Sequence, residues 1–160
     1  MGIPIHSSFD DFSTVLSSHN FKNNTKKENA TTNYISEQIW ENGDFYTQRH
    51  CDVHLFSEDG KHIDYIWLRI PRSNFKSLEE YIVVSQELIN DLSTKYGNPQ
   101  IDSLGNNDCQ LLKWNLSNGT LEFEINKKIV SPIKLFYQSK EIIDRHTRLK
   151  SFKGQGKSDL

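Results

Sequence analysis

The sequence has no long apolar run, almost no cysteine and almost no net charge, and each shortage closes off a class of protein. No segment approaches the ~18 consecutive apolar residues of a membrane-spanning helix. Cys51 and Cys109 are the 2 cysteines among 160 residues, too few for a disulfide framework. A formal net charge of -2 exerts no general pull on nucleic acid or on acidic membranes. The opening MGIPIHSSFDDF has neither the basic start nor the apolar stretch of a secretory signal. His6 stands where an N-myristoylation signal needs Ser or Thr. The expected compartment is the cytoplasm, so the Asn-x-Ser/Thr sequences at Asn23, Asn29, Asn115 and Asn118 imply no glycosylation.

Motifs of chemistry are missing as well. There is no Gly-x-Ser-x-Gly elbow. Gly154-Gln155-Gly156 lacks both a third glycine and the strand–loop–helix setting of a phosphate cradle. Glu79 and Glu80 fall in the first turn of an expected helix, where the dipole favours carboxylates without any catalytic role.

What is present is the material of a folded domain: 35% hydrophobic residues, 11% aromatic and 25% charged, too apolar for a disordered chain. We expect one domain over residues 1–150, with 20–33 a flexible polar loop and 151–160 a disordered tail. Three dipeptides punctuate it: Asn42-Gly43, Asp59-Gly60 and Asn118-Gly119. Each lies between runs of β-branched, aromatic and aliphatic residues. Asn, Asp and Gly tolerate the positive φ of tight hairpin turns, so three hairpins are expected.

Phe9, Phe12, Val15 and Leu16 follow helical spacing after Ser8, with Asp10 and Asp11 in the first turn. Ser77 with Glu80 forms a capping signature. An apolar stripe of Leu78, Tyr81, Ile82, Leu88, Ile89, Leu92 and Tyr96 follows, and Gly97 and Pro99 end that helix. Strands are expected at 34–41, 45–56, 62–70, 109–116, 121–126 and 133–137. The first also fits a helix, and the hairpin signal beside it decides for strand. A last helix is expected over 139–149. The fold class is α+β: an antiparallel sheet of two three-stranded meanders, about six strands, packed against the helix at 77–96. The element order is α-βββ-α-βββ-α.

Turn position converts into facing pairs. About Asn118-Gly119, Leu112 should face Ile125, Trp114 Phe123 and Leu116 Leu121, with Lys113 against Glu124 and Asn115 against Glu122 on the reverse. About Asp59-Gly60, Cys51, Val53, Leu55, Ile66, Leu68 and Ile70 form the apolar side. The other side carries His50, Asp52, His54 and Phe56 against Ile63, Tyr65, Trp67 and Arg69. The expected pairs are His50 with Arg69, Asp52 with Trp67, and His54 with Tyr65.

That second side is where function is expected. His50, Asp52, His54, Tyr65, Trp67 and Arg69 form an amphipathic platform rich in the residue types of interface hot spots. The bland reading is an ordinary solvated sheet face with a Trp across it. The platform reading makes the chain a protein-binding module of the inhibitor, immunity or effector-chaperone kind, with another protein as partner. The competing reading is an enzyme in which Asp52 orients His50 or His54 for acid–base work. No metal and no cofactor are expected. Alternate residues on a strand are ~6.6 Å apart, so His50 and His54 cannot both come within the ~2 Å of a zinc ligand. Cys51 points to the apolar side, where a thiol is inert. Arg145, Arg148, Lys150, Lys153 and Lys157, joined to Arg69 and Arg72, would make a basic strip for phosphates, but no nucleic-acid signature accompanies them. A membrane partner is not expected, and a free sheet edge would let two copies pair.

Overall fold

Three helices and one large sheet make up the fold of the described residues. A computed structural model of the chain describes residues 8–25, 36–103 and 108–155. Ser8 caps helix α1 (Phe9–Ser18) by accepting the backbone N–H of Asp11, whose carboxylate accepts the N–H of Ser8 in return. Ser77 opens helix α2 (Leu78–Tyr96) by accepting the N–H of Glu80. The Glu80 carboxylate turns to the N–H of Lys76 at 2.7 Å, one residue before the capping-box position. Gly97, at φ 83, closes the helix.

The strands are β1 (Lys22–Asn23), β2 (Ser36–Phe45), β3 (Gln48–Ser57), β4 (Tyr65–Ile70), β5 (Gln100–Ser103), β6 (Cys109–Leu116), β7 (Gly119–Asn126) and β8 (Ile133–Ser139), followed by helix α3 (Lys140–Gln155). All lie in one 8-stranded antiparallel sheet of order β1-β2-β3-β4-β8-β7-β6-β5. The two expected meanders are therefore halves of a single sheet, joined where β4 pairs with β8. The expectation of about six strands is short by β1 and β5, the two edge strands. Their sequences, KN and QIDS, are too short and polar to show a period of two. Helix α3 runs to Gln155, past the expected end near Leu149.

One face of the sheet is apolar and meets the helices. Phe12 and Leu16 of α1 and Tyr81 and Leu88 of α2 enter one core with Val53, Leu55, Leu68, Ile70, Leu112, Trp114, Phe123 and Ile133. Burying each such side chain contributes about 1.5–3 kcal/mol, so this face carries most of the stability. Its few polar atoms are satisfied: the Trp114 indole donates to the carbonyl of Gly97 at 2.9 Å, and the Tyr81 hydroxyl accepts the N–H of Asn126 at 3.1 Å. Ile82, expected on the buried stripe, is instead 37% exposed.

None of the three Asn/Asp-Gly pairs is a two-residue hairpin turn. Asn42, at φ 58, and the buried Gly43 sit in a bulge within β2, and the chain reverses at Tyr46-Thr47. Glycine is needed at 43 because the Phe21 ring lies where a Cβ would be. The β3–β4 reversal spans Glu58 to Asp64. The Asp59 carboxylate accepts the N–H groups of Lys61 and His62 and shapes a wider loop, from which Ile63 drops into the core. In the third, Ser117-Asn118 is the turn and Gly119 already pairs with Leu116. Gly119 also pairs with Ser139, and a Cβ there would run into the carbonyl oxygen of Gln138.

The facing pairs change accordingly. Asp52 faces Arg69, His54 faces Trp67 and Phe56 faces Tyr65. Leu112 faces Phe123, Trp114 faces Leu121, Leu116 faces Gly119, Lys113 faces Glu122 and Asn115 faces Thr120. Both hairpins slip by two residues from the expected register. An even slip changes partners but keeps every side chain on its face.

Candidate functional site

The face opposite the helices holds no buried residue among those described. Across its middle runs a row of Cα partners: Ile39, His54, Trp67, Phe136, Glu122, Lys113 and Gln100. Alternation within β3 and β4 places Asp52, His54, Tyr65, Trp67 and Arg69 together here, all half-buried. His50 lies outside the paired part of this face. It lies at φ 56 in the irregular stretch of β3 before the β4 pairing begins at Asp52, and its side chain is exposed. A residue at positive φ interrupts the in–out alternation on which the six-residue grouping relied. Ile63, expected on this side, belongs to the core.

The aromatic rings pack on one another. His54 meets Trp67 edge-on with centroids 4.8 Å apart and lies over Phe56 at 6.1 Å. Tyr65 stacks on Phe136 at 5.9 Å. Two ion pairs and one His–carboxylate hydrogen bond frame the rings. The Arg69 guanidinium is 3.7 Å from Asp52, His54 Nδ1 is 3.0 Å from Glu37, and Lys113 Nζ is 3.1 Å from Glu122. Such contacts fix side-chain positions more than they add stability, since exposed pairs are worth about 0–1 kcal/mol each.

At the loop end of this face the Glu58 carboxylate gathers three groups. It takes Arg145 Nη1 at 2.7 Å, His146 Nε2 at 3.3 Å and the Tyr65 hydroxyl at 3.3 Å. Burial, then the charge of Glu58, raises the Tyr65 phenol above its ordinary pKa. Glu58 thereby ties α3 to the β3–β4 reversal.

Beside Trp67 the face dips into a shallow groove lined by Trp67, Leu111, Glu122, Glu124, Lys134 and Phe136. Sequence reasoning missed Glu37, Phe136 and this lining. Alternation within each hairpin signals which side they occupy, but nothing local says that β8 lies against β4.

The other chemistries find little purchase. Asp52 turns to Arg69 and His54 to Glu37, so the expected acid–base couple is divided between two partners. Among the described residues no group of three His, Cys, Asp or Glu is placed to hold a metal ion. Burial pushes the Cys51 thiol up to about 11. Arg145 and Arg69, members of the expected basic strip, are each engaged by a carboxylate, and Lys153 and Lys157 contribute no described side chain. Among the described residues no helix is long and apolar enough to cross a membrane. Comparison with family models, curated proteins and solved structures returns no match to this chain.

Proposed function

We propose that this chain is a protein-binding module, of the inhibitor, immunity or effector-chaperone kind, that docks a protein in the cytoplasm through the helix-free face of its sheet. The observation that supports this reading is the row His54–Trp67–Phe136 on a face with no buried residue among those described. Large rings that cost little entropy to hold still, framed by ion pairs, have the makeup of an interface centre with its polar rim. The acid–base reading of the same strand draws no support from Asp52 and His54, whose polar atoms are turned to Arg69 and Glu37.

The test is retention of a partner from lysate of the native host. Wild-type protein should hold a discrete species, identified by mass spectrometry. Joint alanine substitution of Tyr65, Trp67 and Arg69 should abolish capture while circular dichroism and Tm stay close to wild type. With the partner in hand, Trp67→Ala alone should weaken binding ~30-fold, the effect of a hot spot worth about 2 kcal/mol. Equal capture by the triple variant would sink the proposal.

A further inference from the structure

The groove beside Trp67 combines apolar lining with a carboxylate that no described residue engages. Trp67, Leu111 and Phe136 supply the apolar part of its lining, and Glu122, Glu124 and Lys134 the charged part. Glu122 is held by Lys113 at 3.1 Å. Glu124 faces Leu111 on one side and Lys134 on the other. It is exposed, and its carboxylate has no hydrogen bond or ion pair among the described residues. An aromatic face carries a negative quadrupole, which attracts a cation set above it and repels an anion. Along the two rows of Cα partners that cross the groove, the carboxylates Asp52, Glu122, Glu124 and Asp102 stand with the cations Arg69, Lys134 and Lys113, and of these cations Arg69 and Lys113 are already paired with a carboxylate.

We infer that this groove receives an arginine or lysine side chain of the protein partner. The aliphatic stem lies on Trp67, Leu111 and Phe136, and the charged head reaches Glu124. Long cationic side chains suit such a site because they bury their methylenes and keep the charge exposed. Lys134 is the one lining group that opposes the incoming charge. This inference rests on the docking reading and adds the chemistry of the residue that is docked.

A defined probe tests it without knowledge of the partner. The full chain, labelled with nitrogen-15, is titrated with the capped tripeptide acetyl-Val-Arg-Val-amide and followed by NMR. Saturable shifts should concentrate at the Trp67 indole N–H and the amides of Glu124 and Phe136. The indoles of Trp40 and Trp114, which are buried, should stay still. Citrulline in place of arginine keeps the shape and removes the charge, and should weaken binding about tenfold. Glu124→Gln should weaken it about two- to fivefold, and Lys134→Gln should tighten it about twofold.

Equal binding of the citrulline or a glutamate tripeptide, indifference to Glu124→Gln, or shifts away from the groove would each overturn the inference. If the triple variant at Tyr65, Trp67 and Arg69 loses the partner while Glu124→Gln keeps it at wild-type affinity, docking stands and the cation pocket falls. If neither variant affects capture, both fall.

Discussion

Phe123 and Phe136 stand on adjacent strands of one sheet, one on each face, and their surroundings differ. Phe123 is 0% exposed and faces Leu112 and Leu135 across its two strand neighbours. Phe136 is half-buried, has Tyr65 stacked on it and faces Trp67 and Glu122. Two side chains of the same chemistry therefore do different work. On the inner face close packing sets a single arrangement and supplies the stability of the fold. On the outer face the rings touch one another and water, so their apolar surface stays available to something else.

The sharpest test of that contrast is truncation at both positions. Phe123→Ala should lower unfolding stability by about 3–5 kcal/mol, the range for a fully buried aromatic. Phe136→Ala should lower it by roughly 1 kcal/mol or less, as expected away from a packed core. Urea denaturation of the two variants measures the difference. Similar losses would mean that the fold depends on the outer face as heavily as on the inner one.

Gly119→Ala probes the inner side from the backbone. The added methyl would collide with the carbonyl of Gln138, which cannot turn aside as a side chain can. We expect a loss of about 1–3 kcal/mol from overpacking, with weakened hydrogen-exchange protection where β7 meets β8. Gly43→Ala should cost a similar amount, because the added methyl would meet the root of the Phe21 ring, which is itself buried in the core.

These glycines also explain what the sequence did and did not disclose. Asn-Gly and Asp-Gly were informative about punctuation but not about its type. Gly43 and Gly119 are required by close approach of Phe21 and of the β8 backbone, contacts that no local pattern announces. The inner and outer sides of β3, β4, β6 and β7 were legible because alternation survives a slip of two residues. His50 lies beyond the regular β3–β4 pairing, where one positive φ interrupts that alternation. The pairing of β4 with β8 makes one sheet of two meanders and brings Phe136 to Trp67, yet it depends on residues some seventy positions apart. The bounds of helix α2 were readable, since its cap and stop are local, whereas Ile82 of its expected stripe is exposed.

The smallest expected effect concerns the reversal that sets the β3–β4 register and so decides which outer side chains meet. His62 Nδ1 lies 2.8 Å from the Asp59 carboxylate. That contact raises the imidazole pKa above its ordinary value, while the N–H and imidazole of His62 hold the Asp59 carboxyl well below the usual range. The Asp59 contribution is present above about pH 3.9, its unfolded value, and fades as pH falls through the lower folded one. The His62 contribution is complete below about pH 6.5 and is lost as pH rises through the higher folded value. Between about pH 4 and 6.5 both operate. Asp59→Asn keeps an oxygen for the N–H groups of Lys61 and His62 but removes the charge. The stability gap between wild type and Asp59→Asn should therefore be widest near pH 5 and narrower at pH 8 and above. NMR titration of the variant should show the His62 midpoint falling toward its ordinary value, with the charges of Glu141 and Asp64 still holding it up. A gap independent of pH would mean that the backbone hydrogen bonds alone shape this turn, and that the partners of Trp67 and Arg69 are set by the strands.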